Sequence, residues 1–404
     1  MLTAKIRNIL IPIVTVCIIL GASAALIAYG RGYRINITQK SLRSTGLLVV
    51  TSEPSGAQII IEGKVKTAAP ATLNLAPGWY QITLVKEGFQ PWEKRLRVQG
   101  EIVTRAEAVL FPVNPSLTAV TGSGVASPAI SPDGSKLAFV VPPLPTGTSN
   151  SLLVRPGIYV LDLVDKPLGL NRDARLIARG EIDFSQTTLT WSPDSKQVLA
   201  EVQISPKVNP RFYLLEEGRT NEILQPIADI RALRDDWNDL KRGREKEKLA
   251  TLPTELVKLA TSSMNLVAFA PDETKIMYEA TQSSTLPQII KPPLIGTNST
   301  KEVREIKPGN LYVYDLKEDR NYLVGEAKSL PAISWMPTSK HLLLASKDKI
   351  EIMEYDGGNR KTVYAGPFWD NFVVPWTTGT KLLILTNLNP GASAVNNLYT
   401  VNLR

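Results

Sequence analysis

Ala129-Ile-Ser-Pro-Asp-Gly-Ser-Lys-Leu-Ala-Phe139 returns four times along the chain: as Thr190-Trp-Ser-Pro-Asp-Ser-Lys-Gln-Val-Leu-Ala200, Ala268-Phe-Ala-Pro-Asp-Glu-Thr-Lys-Ile-Met-Tyr278, Ser334-Trp-Met-Pro-Thr-Ser-Lys-His-Leu-Leu-Leu344 and Pro375-Trp-Thr-Thr-Gly-Thr-Lys-Leu-Leu-Ile-Leu385. Each copy reads as strand, polar turn, strand. An apolar residue stands before each turn (Ile130, Trp191, Phe269, Trp335, Trp376), and Pro-Asp or a degenerate form of it closes a tight hairpin. Third strands are expected at 158–163, 211–215, 310–316, 350–355 and 397–401, with fourth strands after all but the last. The unit without a fourth strand ends the chain, and 117–120 (Leu-Thr-Ala-Val) precedes the first unit as an unclaimed strand. The two gaps match: a ring of sheets whose last member is completed by the first strand leaves no open end.

Repetition at this spacing predicts a five-bladed β-propeller over 117–404, with a helical insertion at about 228–263. The Ser-Pro-Asp-Gly-Ser-Lys hairpin resembles the TolB-type, WD-like propeller repeat of exported bacterial proteins. That resemblance implies a fold and not a chemistry, since propellers carry hydrolases, lectins and scaffolds alike.

Upstream, 46–113 reads as a small antiparallel β-sandwich: β-branched runs are bounded by Pro54-Ser-Gly-Ala57, Ala76-Pro-Gly78 and Glu87-Gly88, turns in which Gly supplies positive φ and Pro fixes it. Pro54-Ser55-Gly56-Ala57, Leu75-Ala-Pro-Gly-Trp-Tyr80 and Val85-Lys-Glu-Gly-Phe89 resemble the PEGA domain family, with Ser55 in place of the glutamate that gives the family its name. The resemblance implies a noncatalytic module beside a membrane anchor, with a role in envelope attachment or spacing. Trp79, Tyr80, Phe89 and Trp92 sit at strand positions that favour core packing over a sugar-stacking platform.

Before the sandwich come a short tail (1–8), an apolar run over 9–29 and a polar tether (30–45). The run is about the 20 residues that a bilayer-spanning helix needs. Pro12 falls in its first turn and Tyr29 at its interfacial end. Ala22-Ser23-Ala24 offers a signal-peptide cleavage pattern, but Ala25-Leu-Ile-Ala28 continues the apolar run past it, which favours a retained anchor. Arg31, Arg34, Lys40 and Arg43 outnumber Lys5 and Arg7, so charge bias alone would keep the body inside, whereas the module order resembles exported proteins.

The +8 net charge favours acidic partners, but no nucleic-acid-binding pattern accompanies it. Cys17 is the lone cysteine and His341 the lone histidine, which removes disulfides, zinc clusters and paired-imidazole catalysis. His341 opens a strand and reads as a surface or edge residue.

Strand parity sends the connections at 142–156, 282–309 and 228–263 to one face. Loops this long are where function concentrates. The candidate partner-binding residues are Arg231, Arg234, Trp237 and Lys241 on the helical insertion and Lys291, Lys301, Arg304 and Lys307 on the third unit's loop. No hydrolase elbow, phosphate loop or dinucleotide fingerprint occurs, so no catalytic residue, cofactor or metal is expected. The expectation is a membrane-anchored extracytoplasmic binding or scaffold protein whose partner is an envelope protein or an anionic wall polymer. The alternative is a propeller glycoside hydrolase, which would need convergent carboxylates where Asp183 stands alone.

Overall fold

A computed structural model describes residues 2–30, 33–36, 41–143, 155–165, 173–179, 182–205, 207–388 and 395–404. It divides into two units, residues 1–111 with 295–300, and residues 112–294 with 301–404.

The first unit opens with α1, Leu2–Gly30, one helix through the whole apolar run. Its side chains are described over 13–27, and all of them are exposed. Among the described residues no helix is long and apolar enough to cross a membrane. The predicted span is therefore present as a helix but not demonstrated as a span. The tether carries a ribbon of Tyr33–Asn36 paired with Ser41–Ser44.

Two sheets follow. One has the order Ala71–Leu75, Gly46–Glu53, Val103–Val109, and the other Lys64–Ala68, Gln58–Ile61, Gly78–Val85, Trp92–Val98. Leu48, Val50, Ile59, Ile82, Leu84, Trp92, Val98 and Leu110 fill the space between them. The expected all-antiparallel sandwich needs one correction, because Gly46–Glu53 and Val103–Val109 run parallel. The last strand reaches this sheet from the other one and not by a hairpin, so it can arrive in the same direction as the first. Lys64–Ala68 was not expected as a strand; its residues are all exposed and no apolar alternation marks it. Glu62 and Gly63, both at positive φ, form the tight hairpin that brings it against Gln58–Ile61. Along the outer edge of Trp92–Val98, residues 295–300 add a short backbone pairing: Arg97 donates to the Thr297 carbonyl (2.8 Å) and Ser299 to that of Arg95 (3.3 Å).

In the second unit, five antiparallel sheets follow one another. The first holds Ala126–Ile130, Lys136–Val141, Gly157–Asp162 and Arg175–Ala178; the second Thr187–Trp191, Gln197–Val202 and Arg211–Glu216. The third is Met264–Phe269, Lys275–Ala280, Asn310–Asp315 and Arg320–Glu326, and the fourth Ala332–Trp335, His341–Ala345, Lys349–Glu354 and Lys361–Ala365. In the fifth, Val373–Pro375, Lys381–Thr386 and Asn397–Asn402 are completed by Leu117–Ala119 from the beginning of the array. Thr118 pairs with Thr400, and Leu117 with Val401. One apolar cluster joins the first sheet to the fifth through Phe139, Leu161, Trp376 and Leu398; others join the first to the second and the third to the fourth.

The fourth strand expected in the second sheet is reduced to a bridge from Tyr213 to Pro226, with Ile227 donating to Phe212 (2.8 Å). Pro226 has no N–H to continue a ladder. His341 is also not where the sequence suggested: it lies on a central strand, is buried, and meets the Thr338 hydroxyl at Nδ1 (3.2 Å).

All five hairpins share one hydrogen-bond pattern. In each, the fourth turn residue donates back to the first: Gly134 to Ser131, Ser195 to Ser192, Glu273 to Ala270, Ser339 to Met336 and Gly379 to Trp376. Each of those donors is at positive φ. Trp376 thus occupies the turn position of Ser131, and the fifth repeat slips by one residue against the alignment expected from sequence. Glycine would suit every such position, yet Ser195 and Ser339 are used. Their hydroxyls accept the Asp133 N–H (3.3 Å) and the Asp272 N–H (3.0 Å) of the preceding sheet's turn, linking neighbours in the ring.

Between the second and third sheets that link is replaced. Asp229 caps α2 (Ile230–Ala250) by accepting from Arg231 and Ala232, and α3 (Thr254–Ser262) follows. Arg244 of α2 donates to the Pro193 carbonyl in the second sheet's hairpin, and Lys248 pairs with Glu273 in the third's (3.4 Å). Leu256 and Ala260 of α3 pack on Met264, Ile276 and Tyr278.

Candidate functional site

The hairpin side of the second unit is held by short-range chemistry. Ser131 Oγ donates to Asp133 (2.5 Å), Ser192 Oγ to Asp194 (2.6 Å) and Thr274 Oγ1 to Asp272 (2.8 Å). All three aspartates titrate below the ordinary carboxylate value. At Asp194 the Ser192 hydroxyl is the main cause; at Asp133 and Asp272 burial opposes the charge most strongly, but hydrogen bonds and a nearby lysine together outweigh it. A depressed folded pKa stabilises above the unfolded value, about 3.9, and that contribution disappears as pH falls through the folded values. The melting temperature is expected to drop on acidification below about pH 4, and a triple variant, Asp133→Asn with Asp194→Asn and Asp272→Asn, to show a shallower acid limb in calorimetry.

The first strands of the sheets read Ala-Ser-Pro-Ala-Ile, Thr-Thr-Leu-Thr-Trp, Met-Asn-Leu-Val-Ala-Phe, Ala-Ile-Ser-Trp and Val-Val-Pro. None carries an ionisable side chain. The strand Ala126–Ile130 lies beside Thr187–Trp191, across the boundary between the first two sheets.

The basic residues singled out from sequence lie on α2 and on the segment 291–307. Arg231 is exposed and contributes its backbone N–H to the α2 cap. Arg234 pairs with Glu201 (3.4 Å) and lies over the Phe212 ring (5.4 Å); Trp237 is half-buried, and exposed Lys241 pairs with Glu245 (4.0 Å). Glu201 stands at the end of its strand remote from Pro193, so α2 runs the length of the sheet and is not confined to one side. Lys291, Lys301 and Lys307 are exposed. Arg304 instead serves the fold: it pairs with Glu302 (2.6 Å) and Asp319 (3.2 Å) and donates to the Pro287 carbonyl (2.7 Å). The segment 288–290 reaches Asp319 in the turn between the third sheet's outer strands, so this connection also passes from one end of its sheet to the other. Of the loop at 142–156, residues 144–154 lie outside the described residues.

Aromatic residues of the first unit divide. Trp92 is in the core and Tyr80 and Phe89 pack against it, whereas Trp79 is 40% exposed, with the Arg95 guanidinium 5.9 Å from its ring.

Among the described residues, two cavities of similar size open in the second unit. One, of about 560 Å³, lies against the stacked rings of Phe139 and Tyr159 beside Gly122 and Gly124. The other, of about 540 Å³, sits at the end of the second sheet away from its hairpin and gathers Asp183, Gln186, Gln203, Arg211 and Tyr213. Asp183 was read from sequence as an isolated acid; its neighbours come from three segments whose convergence no local pattern announces. Among the described residues no cluster of histidine, cysteine and carboxylate groups suits a metal.

No curated protein sequence matches the chain. Among solved structures, a TolB from Agrobacterium tumefaciens shares 12% identity, with 67% of this chain and 76% of that one covered and a TM-score of 0.22. TolB from Acinetobacter baumannii shares 14%, with 80% and 59% covered and a TM-score of 0.21. A eukaryotic initiation factor shares 12%, with 84% and 78% covered, also at 0.21. The chain is similar to TolB-type propellers at low overlap, and the architecture of the second unit is read from its own sheets. Residues 45–114 match the PEGA domain family, and this segment of the chain, two packed sheets around Leu48, Ile59 and Trp92, is a PEGA domain.

Proposed function

We propose that the chain is a membrane-anchored binding or scaffold protein of the cell envelope, with α1 in the cytoplasmic membrane and its five sheets forming the five blades of an extracytoplasmic propeller. The observation that carries the anchor is the uncovered apolar surface of α1: Ile13, Ile18, Leu20, Leu26 and Ile27 are between 56% and 71% exposed, on all sides of the helix. A helix apolar all round is stable only where something other than water surrounds it. A PEGA domain follows directly, as suits a spacer between a membrane and a working domain.

Binding is favoured over hydrolysis because the first strands of the blades carry no carboxylate, whereas glycosidic cleavage uses two within about 5–10 Å. The partner is an envelope protein or an anionic polymer, not nucleic acid. With a tag after Arg404, protease added to intact cells is expected to remove the tag, and alkaline carbonate to leave the protein in the membrane pellet. A tag protected until the cells are lysed would place the body in the cytoplasm and end this reading.

A further inference from the structure

The cavity of about 540 Å³ at the second sheet lies within the about 300–1,000 Å³ typical of small-ligand sites. Its polar groups are placed by strand geometry. Arg211 and Tyr213 are two residues apart on one strand and share a face, the one on which Tyr213 packs toward the first sheet. Gln203 and Gln186 are held opposite each other by the Gln203 N–H on the Gln186 carbonyl (3.1 Å).

Several of these groups retain hydrogen-bonding capacity. Tyr213 is 3% exposed and lines the cavity, and among the described residues its hydroxyl has no partner. The same holds for the Arg211 guanidinium. Asp183 accepts the Ser185 N–H with Oδ1 (2.9 Å), which leaves its second oxygen available. Gln203 directs its amide N–H groups to the carbonyls of Ser205 and Val208, so its side-chain oxygen remains an acceptor. Ile204, 54% exposed, supplies an apolar wall.

The Tyr213 hydroxyl, two amides, one carboxylate and one guanidinium beside an aliphatic surface suit a ligand with many neutral hydroxyls and a C–H face. A strongly charged ligand would want a cluster of one sign. We propose that this cavity binds a saccharide, one or two rings of a glycan, through Asp183, Gln186, Gln203, Arg211 and Tyr213. The site adds a second ligand to the binding role proposed above and is independent of the anchor and of the side of the membrane.

The full chain, purified in a sugar-free detergent, is tested by saturation-transfer NMR with N-acetylglucosamine, glucose, galactose and glucuronate, and titrated with any that respond. At least one sugar is expected to receive saturation. Tyr213→Phe, which keeps the ring in its packing, and Asp183→Asn are each expected to weaken binding about 2–10-fold, the worth of one hydrogen bond. Response from none of the four sugars, or an affinity unchanged in both variants while their melting temperatures match the parent, overturns the assignment. Such a failure would leave the protease and carbonate results standing, so the two readings fail separately.

Discussion

Replacing Asp319 with alanine is expected to destabilise the second unit by about 3–5 kcal/mol, the range for removing one member of a buried charge network. Asp319 is 1% exposed. Its Oδ2 accepts from Gln288 Nε2 (2.6 Å) and from the backbone N–H groups of Ile289 and Ile290 (2.8 Å each); its Oδ1 takes the Tyr314 hydroxyl and Arg304. Alanine would strand the Gln288, Ile289, Ile290 and Tyr314 donors, and would leave the Arg304 guanidinium with Glu302 and backbone carbonyls but without its buried carboxylate. Asp319 is also at positive φ, which asparagine tolerates better than alanine. Asp319→Asn keeps an oxygen for the three Oδ2 donors but turns an amide N–H toward Arg304, so it should lose roughly half as much. Urea unfolding measures both. The loss should be local in its first effect: trypsin is expected to cut within 286–304 before it cuts the five hairpins, because that segment is fastened through Asp319. Burial works hardest against the Asp319 charge, yet Tyr314, the backbone and Arg304 together hold its carboxyl below the usual range. Its contribution is therefore present above about pH 4 and fades as pH falls further, and the alanine variant should show a correspondingly flatter acid limb.

The elements that could be read in advance are those in which a local rule and the global fold agree. Pro-Asp after an apolar strand has one cheap solution, a tight hairpin, and the structure builds that hairpin in all five units. The closing strand was legible for a similar reason: an unclaimed strand at one end and a missing one at the other have a single satisfying pairing. The slip in the fifth turn was not legible, because Thr377-Thr-Gly379 has no proline to mark the register and Trp376 mimics the apolar residue that precedes the other turns. Lys64–Ala68 exists through its ladder partners and not through its own pattern.

The candidate site was less accessible. Charge is visible in a sequence, but what a charge meets is decided by packing. Arg304 and Lys301 look alike in the string; one is held among Glu302, Asp319 and Pro287, and the other is exposed. Strand parity placed the ends of the long connections but carried no information about their course. Both the α2–α3 insertion and the 284–306 segment run from one end of a sheet to the other, and α3, Leu286 and Ile306 cover an apolar surface that includes Tyr278 and Ile276. The saccharide cavity is assembled from three segments within residues 182–213, each unremarkable on its own.

Truncation after Asn396 is expected to abolish cooperative unfolding of the second unit altogether. The residues removed include Asn397–Asn402, the strand that lies between Lys381–Thr386 and the returning Leu117–Ala119 and pairs with both. Without it the fifth sheet keeps two strands, and Leu117–Ala119 loses its partner. Leu398, Val401 and Leu403 are each at most 1% exposed, so their removal also uncovers apolar surface on the first and fifth sheets, which share a cluster through Phe139, Leu161 and Leu385. A ring protects its edges only while closed. Opening it at one point exposes two sheet faces at once, a cost that no single hairpin can recover. Leu398→Ala isolates the packing part of this effect and should cost about 2–5 kcal/mol, the range for a fully buried leucine. The PEGA domain has its own core around Leu48, Ile59 and Trp92, so its calorimetric transition should survive in the truncated chain. A truncated chain that melts in two transitions at the parent temperatures would show that closure contributes nothing, and that each sheet stands on its neighbours alone.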